Sequence, residues 1–136
     1  VTTALHMCRG NNRSSWIPAG DSYESTAEQA FSRLQVDRLL LEYDTERAGG
    51  FEPLRFVPGT TTVVLGLISS KFPELEDRDA LLRRIEQATQ YVPVERLGIS
   101  PQCGFASTAP GNLITWDDQK RKLELVVSVA EEVWGS

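Results

Sequence analysis

Short runs of apolar, often β-branched residues alternate along this chain with longer segments of helical periodicity, and no other feature limits its fold as strongly. Strands are predicted at residues 2–7, 36–43, 61–69 and 96–100. Helices are predicted at residues 23–34, 78–91 and 116–134, with a short one at 51–56. This alternation is typical of βα units whose strands form a parallel sheet.

Four βα units in 136 residues amount to about half of an eight-stranded barrel, which takes ~250 residues. The predicted fold class is therefore α/β, of the TIM (β/α)8-barrel type, with this chain supplying about half of the barrel. An open, doubly wound sheet is the alternative arrangement of such units. No glycine-rich phosphate loop follows a predicted strand, so nothing in the sequence favours that alternative.

Composition narrows the class of protein further. With 40% hydrophobic and 24% charged residues, the chain is expected to form one globular unit, and its net charge of −5 gives no electrostatic reason to expect a nucleic-acid partner. The apolar run at residues 63–68 is far shorter than the ~20 residues of a membrane span, so no membrane partner is expected. An acidic chain without a secretory signal is expected to be cytoplasmic, with reduced cysteines. Because it begins at Val1, we expect a piece of a longer protein.

The helices are expected to cover the sheet through apolar stripes. Asp77 is the expected N-cap of the helix at residues 78–91. Trp116, at the start of the last helix, is expected to pack against the protein. The stripe of that helix is predicted to contain Leu123, Val126, Val127, Ala130 and Trp134.

Four residues that can bind a metal lie at the ends of predicted strands. His6 and Cys8 stand two residues apart at the end of the first strand, so the alternation of a strand places them on one side. Glu42 closes the second strand, and Cys103 follows the fourth. Strand ends meet at the C-terminal face of a parallel barrel, where active sites lie. Imidazole, thiolate and carboxylate are zinc ligands, so these residues form a candidate zinc site.

A structural interpretation fits the same four residues. Cys8 and Cys103 could be small buried hydrophobic residues, His6 a hydrogen-bonded core histidine and Glu42 a salt-bridge partner. Spacing alone does not decide between the two interpretations.

Three segments resemble the zinc motifs of the cobalamin-independent methionine synthases. They are His6-Met7-Cys8, the acid Glu42 after an apolar strand, and the Pro-Gln-Cys-Gly sequence at residues 101–104, in the family's order. Residues 51–56 and 65–71 resemble a particular branch of that family. The resemblance covers essentially the whole chain. It implies that residues 1–136 are the C-terminal half of the family's catalytic barrel.

The resemblance also implies an activity. His6, Cys8 and Cys103 would hold Zn²⁺, with Glu42 as a weaker ligand, and a thiol substrate would bind the metal as thiolate. In the methionine synthases the thiol is homocysteine and the methyl donor is a methyltetrahydrofolate polyglutamate. The implied function is a zinc-dependent S-methyltransferase in methionine biosynthesis. An N-terminal half would complete the barrel; without it, open sheet edges favour self-association.

The chain departs from the family pattern at two places beside the implied site. The family carries a histidine shortly after the third strand, where this chain has Ser69-Ser70-Lys71, and an aspartate where this chain has Gln102. Lys71 is therefore the candidate catalytic acid or anion contact alongside Glu42, although a solvated lysine is the simpler interpretation. Asp44 could orient a metal ligand or pair with Arg47.

Two alternatives remain open. The chain also resembles a sister branch, the epoxyalkane:coenzyme M transferases, in which a thiolate on zinc opens an epoxide. That reaction needs a cationic contact for a sulfonate, for which Arg9, Arg13 and Lys71 are candidates. The chain could instead be a catalytically incomplete structural zinc fragment, whose site would be closed by four protein ligands.

Overall fold

Four parallel strands form a single sheet in the computed structural model, which describes residues 1–10, 22–106 and 108–135. Each strand pairs with the next one along the chain, in the order β1-β2-β3-β4. A doubly wound sheet reverses its strand order at a switch point, whereas a βα-barrel keeps sequential order. The predicted barrel-type α/β fold is therefore confirmed. The strands are β1 (Ala4–Met7), β2 (Arg38–Glu42), β3 (Thr62–Ile68) and β4 (Leu97–Pro101).

Three α-helices connect and follow these strands: α1 (Glu24–Arg33), α2 (Arg78–Ala88) and α3 (Trp116–Trp134). Asp77 caps α2 as predicted, because its Oδ1 accepts a hydrogen bond from the Ala80 amide at 2.8 Å. The connection from β2 to β3 contains only short 3₁₀ helices, Glu46–Ala48 and Glu52–Phe56. The second of these occupies the short helix predicted at residues 51–56.

The two faces of the sheet differ in burial. On one face the side chains are fully buried beneath the helices; they include Leu39, Leu41, Val63, Leu65 and Leu67. The other face carries a row of residues in register across all four strands, and these are exposed or half-exposed: His6, Leu40, Val64 and Gly98. In a closed barrel this second face would point inward. The candidate ligand His6 therefore lies on the face that corresponds to a barrel interior.

The buried side of α3 differs from the predicted stripe. Trp134 packs against the core and donates a hydrogen bond from Nε1 to the Val94 carbonyl at 2.8 Å, as expected of a packing residue. Leu123 and Val127 are exposed, and Trp116 is 81% exposed, so these expectations were wrong.

The cause is a buried lysine. The Lys122 side chain is fully buried, and its Nζ lies 3.1 Å from both carboxylate oxygens of Glu76 and 2.7 Å from the Glu74 carbonyl. This turns the helix so that Lys122 and Val129 face inward instead of Leu123 and Val127. A hydrophobic pattern cannot reveal this rotation, because it counts lysine as an outward-facing residue.

Candidate metal centre

Three of the four predicted ligands meet at the carboxyl ends of the strands. The ligand atoms of His6, Glu42 and Cys103 all lie within 4.8 Å of one another. Glu42 Oε1 is central, because it lies 3.2 Å from His6 Nε2 and accepts a hydrogen bond from Cys103 Sγ at 2.7 Å. The cluster joins β1, the last residue of β2 and the segment that follows β4.

The fourth predicted ligand, Cys8, lies directly beside this cluster. Its Sγ is 3.5 Å from Cys103 Sγ, and the Gly10 amide donates a hydrogen bond to it at 3.3 Å. Both cysteines are free thiols, and Cys8 is the exposed one. Cys8 therefore extends the cluster towards solvent.

Gly66 allows the strand ends to approach this closely. It pairs with Glu42 across the β2–β3 ladder and with Ser100 across the β3–β4 ladder. A Cβ atom at this position would lie 2.9 Å from Gln102 Cα, 3.1 Å from the Leu41 carbonyl oxygen and 3.4 Å from Glu42 Cα. All three neighbours are backbone atoms that cannot swing away, so the site requires glycine here.

Glu42 is fully buried and held at both its backbone and its carboxylate. Its amide donates to the Tyr23 hydroxyl at 2.9 Å, and that hydroxyl donates to the Glu42 carbonyl at 3.1 Å. Its Oε2 accepts hydrogen bonds from the Arg9 amide at 2.8 Å and from Gln102 Nε2 at 3.3 Å. No pattern in the sequence indicates this role of Tyr23, because a tyrosine at the start of a helix is ordinarily predicted to be a packing residue.

The His6 ring also has a defined partner. Nε2 lies 3.0 Å from the Gln102 carbonyl oxygen as well as near Glu42 Oε1. Both oxygens lie on the same side of the ring, so they orient Nε2 towards the cluster. A metal ion at the cluster would bind this nitrogen in its unprotonated form.

The chemistry of this donor set fits a zinc ion. In a tetrahedral zinc site with the usual bond lengths, neighbouring ligand atoms stand about 3.3–3.8 Å apart, with nitrogen–oxygen pairs at the lower end and two sulfurs at the upper end. The His6–Glu42 separation of 3.2 Å and the Cys8–Cys103 separation of 3.5 Å are within about 0.3 Å of these values, and the carboxylate–sulfur contact of 2.7 Å is shorter. Burial, followed by the hydrogen bond to Glu42, raises the pKa of the Cys103 thiol, so the metal-free thiol stays protonated. A zinc ion would supply the positive charge that converts the thiol to thiolate.

Lys71 is fully buried next to this cluster, which contradicts the interpretation as a solvated lysine. Its Nζ donates a hydrogen bond to Gln102 Oε1 and lies 3.8 Å from Asp44 Oδ2. Asp44 therefore faces Lys71 and not Arg47. Burial lowers the pKa of the Lys71 amine and raises the pKa of the Asp44 carboxyl, while the attraction between the two opposes both shifts.

A cavity of about 270 Å³ adjoins the cluster on the inward-facing side of the sheet. Its lining includes His6, Leu40, Cys103 and Gly104.

Of the other candidate cations, Arg9 has its guanidinium over the Tyr23 ring, 5.2 Å from the centroid, and Arg13 is outside the described residues. Among the helices of the described ranges, none is long and apolar enough to cross a membrane.

This chain is similar to several known proteins. The profile of the family described as "Cobalamin-independent synthase, Catalytic domain" matches residues 2–132. The Bacillus subtilis protein YxjG is 50% identical over 135 residues, which are 98% of this chain and 35% of that protein. A 5-methyltetrahydropteroyltriglutamate–homocysteine methyltransferase of Shewanella oneidensis is 28% identical over 130 residues, or 94% of this chain and 14% of that enzyme.

A solved structure has the same fold. It is a protein of Listeria monocytogenes described as a candidate vitamin-B12-independent methionine synthase, with a TM-score of 0.67 and 32% identity. The match covers 99% of this chain and 36% of that one. This chain thus spans about a third of the length of YxjG and of the Listeria protein.

Proposed function

The chain belongs to the cobalamin-independent synthase family through its catalytic domain, and from this premise we propose that it is the zinc-binding half of a thiol S-methyltransferase barrel. The observation that carries the proposal is the convergence of His6, Glu42 and Cys103 within 4.8 Å at the strand ends. Cys8, 3.5 Å from Cys103, completes the proposed ligand set. The homocysteine methyltransferase of Shewanella oneidensis, a relative along most of this chain, supports homocysteine as the thiol.

The proposed ligands differ in how firmly the chain holds them. Zinc, when bound, lowers the pKa of a substrate thiol so that its sulfur is a nucleophile at neutral pH. Cys103 and Glu42 are buried or half-buried and are fixed by neighbouring strands. Cys8 is exposed and lies after the end of β1. Four protein ligands would fill a tetrahedral zinc, so a substrate sulfur would take the position of Glu42, the weaker ligand.

Lys71 is the proposed proton donor to the departing methyl donor. In a transfer from a tertiary amine nitrogen of the tetrahydrofolate type, the methyl group passes to sulfur and the nitrogen must end with a proton. The Lys71 ammonium is buried next to the site and is the group placed to supply that proton. It stands where the family carries a histidine. The lowered pKa of the Lys71 amine brings it closer to the neutral range in which such an acid works.

The remainder of a barrel is the proposed partner of this chain. His6 and Leu40, on the inward-facing row, are exposed and half-exposed, and the other half of a barrel would cover them. If that half also binds the methyl donor, residues 1–136 need not contain the donor's binding site.

We place the protein in the cytoplasm, because a reducing compartment keeps Cys8 and Cys103 available as ligands.

Metal content tests the proposal most directly. The purified protein, kept reduced with a phosphine that contains no thiol, is expected to hold about one zinc per chain by elemental analysis. Cys103→Ser is expected to lose the zinc. Ser128→Ala, on α3, is a control that should keep it. A well-folded wild type that takes up no added zinc, or a Cys103→Ser variant with undiminished zinc, would refute the proposed site.

The coordination shell separates an enzyme from a structural fragment. A catalytic zinc keeps an exchangeable position, whereas a structural zinc is closed by four protein ligands. X-ray absorption of the zinc-loaded protein is expected to show an additional sulfur neighbour when homocysteine is added. An unchanged spectrum would favour the structural alternative.

A further inference from the structure

Gln102 connects the buried lysine to the metal cluster. It is 3% exposed and lies between β4 and Cys103. Its Oε1 accepts a hydrogen bond from Lys71 Nζ, and its Nε2 donates one to Glu42 Oε2 at 3.3 Å. Its backbone is fixed too, because the amide donates to the Ile68 carbonyl at 2.8 Å and the carbonyl oxygen faces His6 Nε2.

The two partners determine the orientation of the side-chain amide. An ammonium group only donates hydrogen bonds, and an ionised carboxylate only accepts them. A flipped amide would place two donors together at Lys71 and two acceptors together at Glu42. Oε1 must therefore face Lys71, and Nε2 must face Glu42. The hydrogen bond from Lys71 to Oε1 therefore fixes the orientation in which Nε2 donates to Glu42.

The neutral amide of Gln102 donates a hydrogen bond to Glu42, which an ionised carboxylate at this position could not do. A carboxylate here would place a second negative charge against the buried Glu42, where like charges in a shared site repel each other. The buried Lys71 needs an acceptor, and a glutamine can accept from the lysine while still donating to Glu42.

We propose that Gln102 is a positioning residue through which Lys71 orients Glu42 towards the metal. The inference rests on the proposed zinc site and goes beyond it, because it makes zinc affinity depend on a lysine that is not a ligand. Partners that orient metal ligands usually contribute 10–100-fold to metal affinity or activity. We call the hydrogen bonds from Lys71 through Gln102 to Glu42 the bridge, and it predicts that loss of Lys71 weakens zinc binding. The charge of Lys71 by itself predicts the opposite, since removal of a nearby positive charge strengthens binding of a cation.

A double-mutant cycle on zinc affinity tests the bridge. Zinc affinity is measured by competition with a chromophoric chelator for the wild type, Lys71→Met, Gln102→Met and the double variant. Gln102→Met is expected to weaken binding about 10–100-fold. Lys71→Met is expected to weaken it as well, because the amide loses its anchor. In the Gln102→Met background, the same lysine substitution should leave affinity unchanged or improve it.

Two further variants separate the bridge from a general effect on folding. Thr115→Ala removes the N-cap of α3, which has no printed contact with the cluster, and is expected to lower stability without changing zinc affinity. Gln102→Asn keeps the amide but is one methylene too short to reach both partners, so it should behave like Gln102→Met. If a lysine variant does not fold, the comparison of Gln102→Asn with the wild type still decides.

The outcomes distinguish this inference from the proposed function. A wild-type protein that binds no zinc overturns both. If zinc binds but the effects of Lys71→Met and Gln102→Met simply add, the bridge is wrong and the zinc site stands. The bridge is also wrong if Lys71→Met strengthens zinc binding as much in the wild-type background as in the Gln102→Met background, or if Gln102→Asn binds zinc like the wild type.

Discussion

Gly66→Ala should weaken metal binding at the proposed centre although residue 66 is not one of the proposed ligands. The added Cβ would lie 2.9 Å from Gln102 Cα, whereas ordinary contacts begin at 3.4 Å, so the two backbones must separate by about 0.5 Å. The same atom would lie 3.1 Å from the Leu41 carbonyl oxygen and 3.4 Å from Glu42 Cα. The end of β2 that carries Glu42 and the segment after β4 that carries Cys103 are thus pushed away from β3 together.

The expected magnitudes follow from this displacement. Overpacking of this kind costs about 1–3 kcal/mol, and replacing glycine by alanine returns about 0.4–1 kcal/mol by restricting the unfolded chain. Gly66→Ala should therefore lower the free energy of unfolding by about 0–2.6 kcal/mol. A productive site must be held within about 0.5 Å of its geometry, and this shift uses up that tolerance. Zinc affinity should therefore fall about tenfold.

The assay has a matched control on the same face of the sheet. A Cβ added at Gly98, on β4, would meet only Val64 Cγ2 at 3.7 Å and Cγ1 at 3.9 Å, which are ordinary contacts. Gly98→Ala should leave zinc affinity unchanged and stability unchanged or slightly higher. Chelator competition and urea denaturation measure the two quantities. If Gly66→Ala binds zinc like the wild type, or if Gly98→Ala loses as much affinity, the argument from close approach is wrong.

Two further substitutions test the supports of the site and of α3 by urea denaturation. Tyr23→Phe removes both hydrogen bonds to the Glu42 backbone and should cost about 1–3 kcal/mol at neutral pH. Burial raises the pKa of Tyr23 from 10.0 to about 12, so the contribution of this phenol is complete below pH 10 and is lost as the pH rises towards 12. The difference between wild type and variant should narrow over that range; a constant difference would count against the buried phenol. Lys122→Met leaves the carboxylate of Glu76 with the Ser69 amide as a donor but without a counter-charge, and it should cost about 2–3 kcal/mol, since the pair is only partly shielded from water. Lys120→Met, in an exposed pair, should cost less than about 0.5 kcal/mol, and equal losses would show that burial does not matter here.

The sequence predicts the strands and helices well, because each depends on a local pattern. The run at residues 36–43 contains β2 (Arg38–Glu42), and the helix predicted at 116–134 matches α3. The pattern failed where a polar residue took an apolar position. Lys122 is buried through Glu76, which lies 46 residues earlier, and so it exposes Leu123 and Val127. Such pairing across the chain leaves no periodic signal.

The candidate ligands could be predicted for a chemical reason. Histidine, cysteine and glutamate at strand ends are few in this chain, and parallel strands bring those ends to one edge. The residues that surround them carry no comparable signal. From the sequence alone Lys71 is predicted to be solvated, because its burial depends on Asp44 and Gln102, which come from other strand ends. Tyr23 likewise contacts Glu42, 19 residues later.

Metal ligands and the residues that support them therefore differ in which residue types can replace them. A zinc ligand must be one of a few residue types, so substitution of Cys103 removes a donor atom whatever the rest of the protein does. A supporting residue need only satisfy its neighbours, so it can change when they change. In this chain Lys71 and Gln102 satisfy each other, so a change at either residue alters what the other requires. Exchanging Gln102 alone for aspartate should therefore disturb the site, because the aspartate would meet Lys71 on one side and the buried Glu42 on the other.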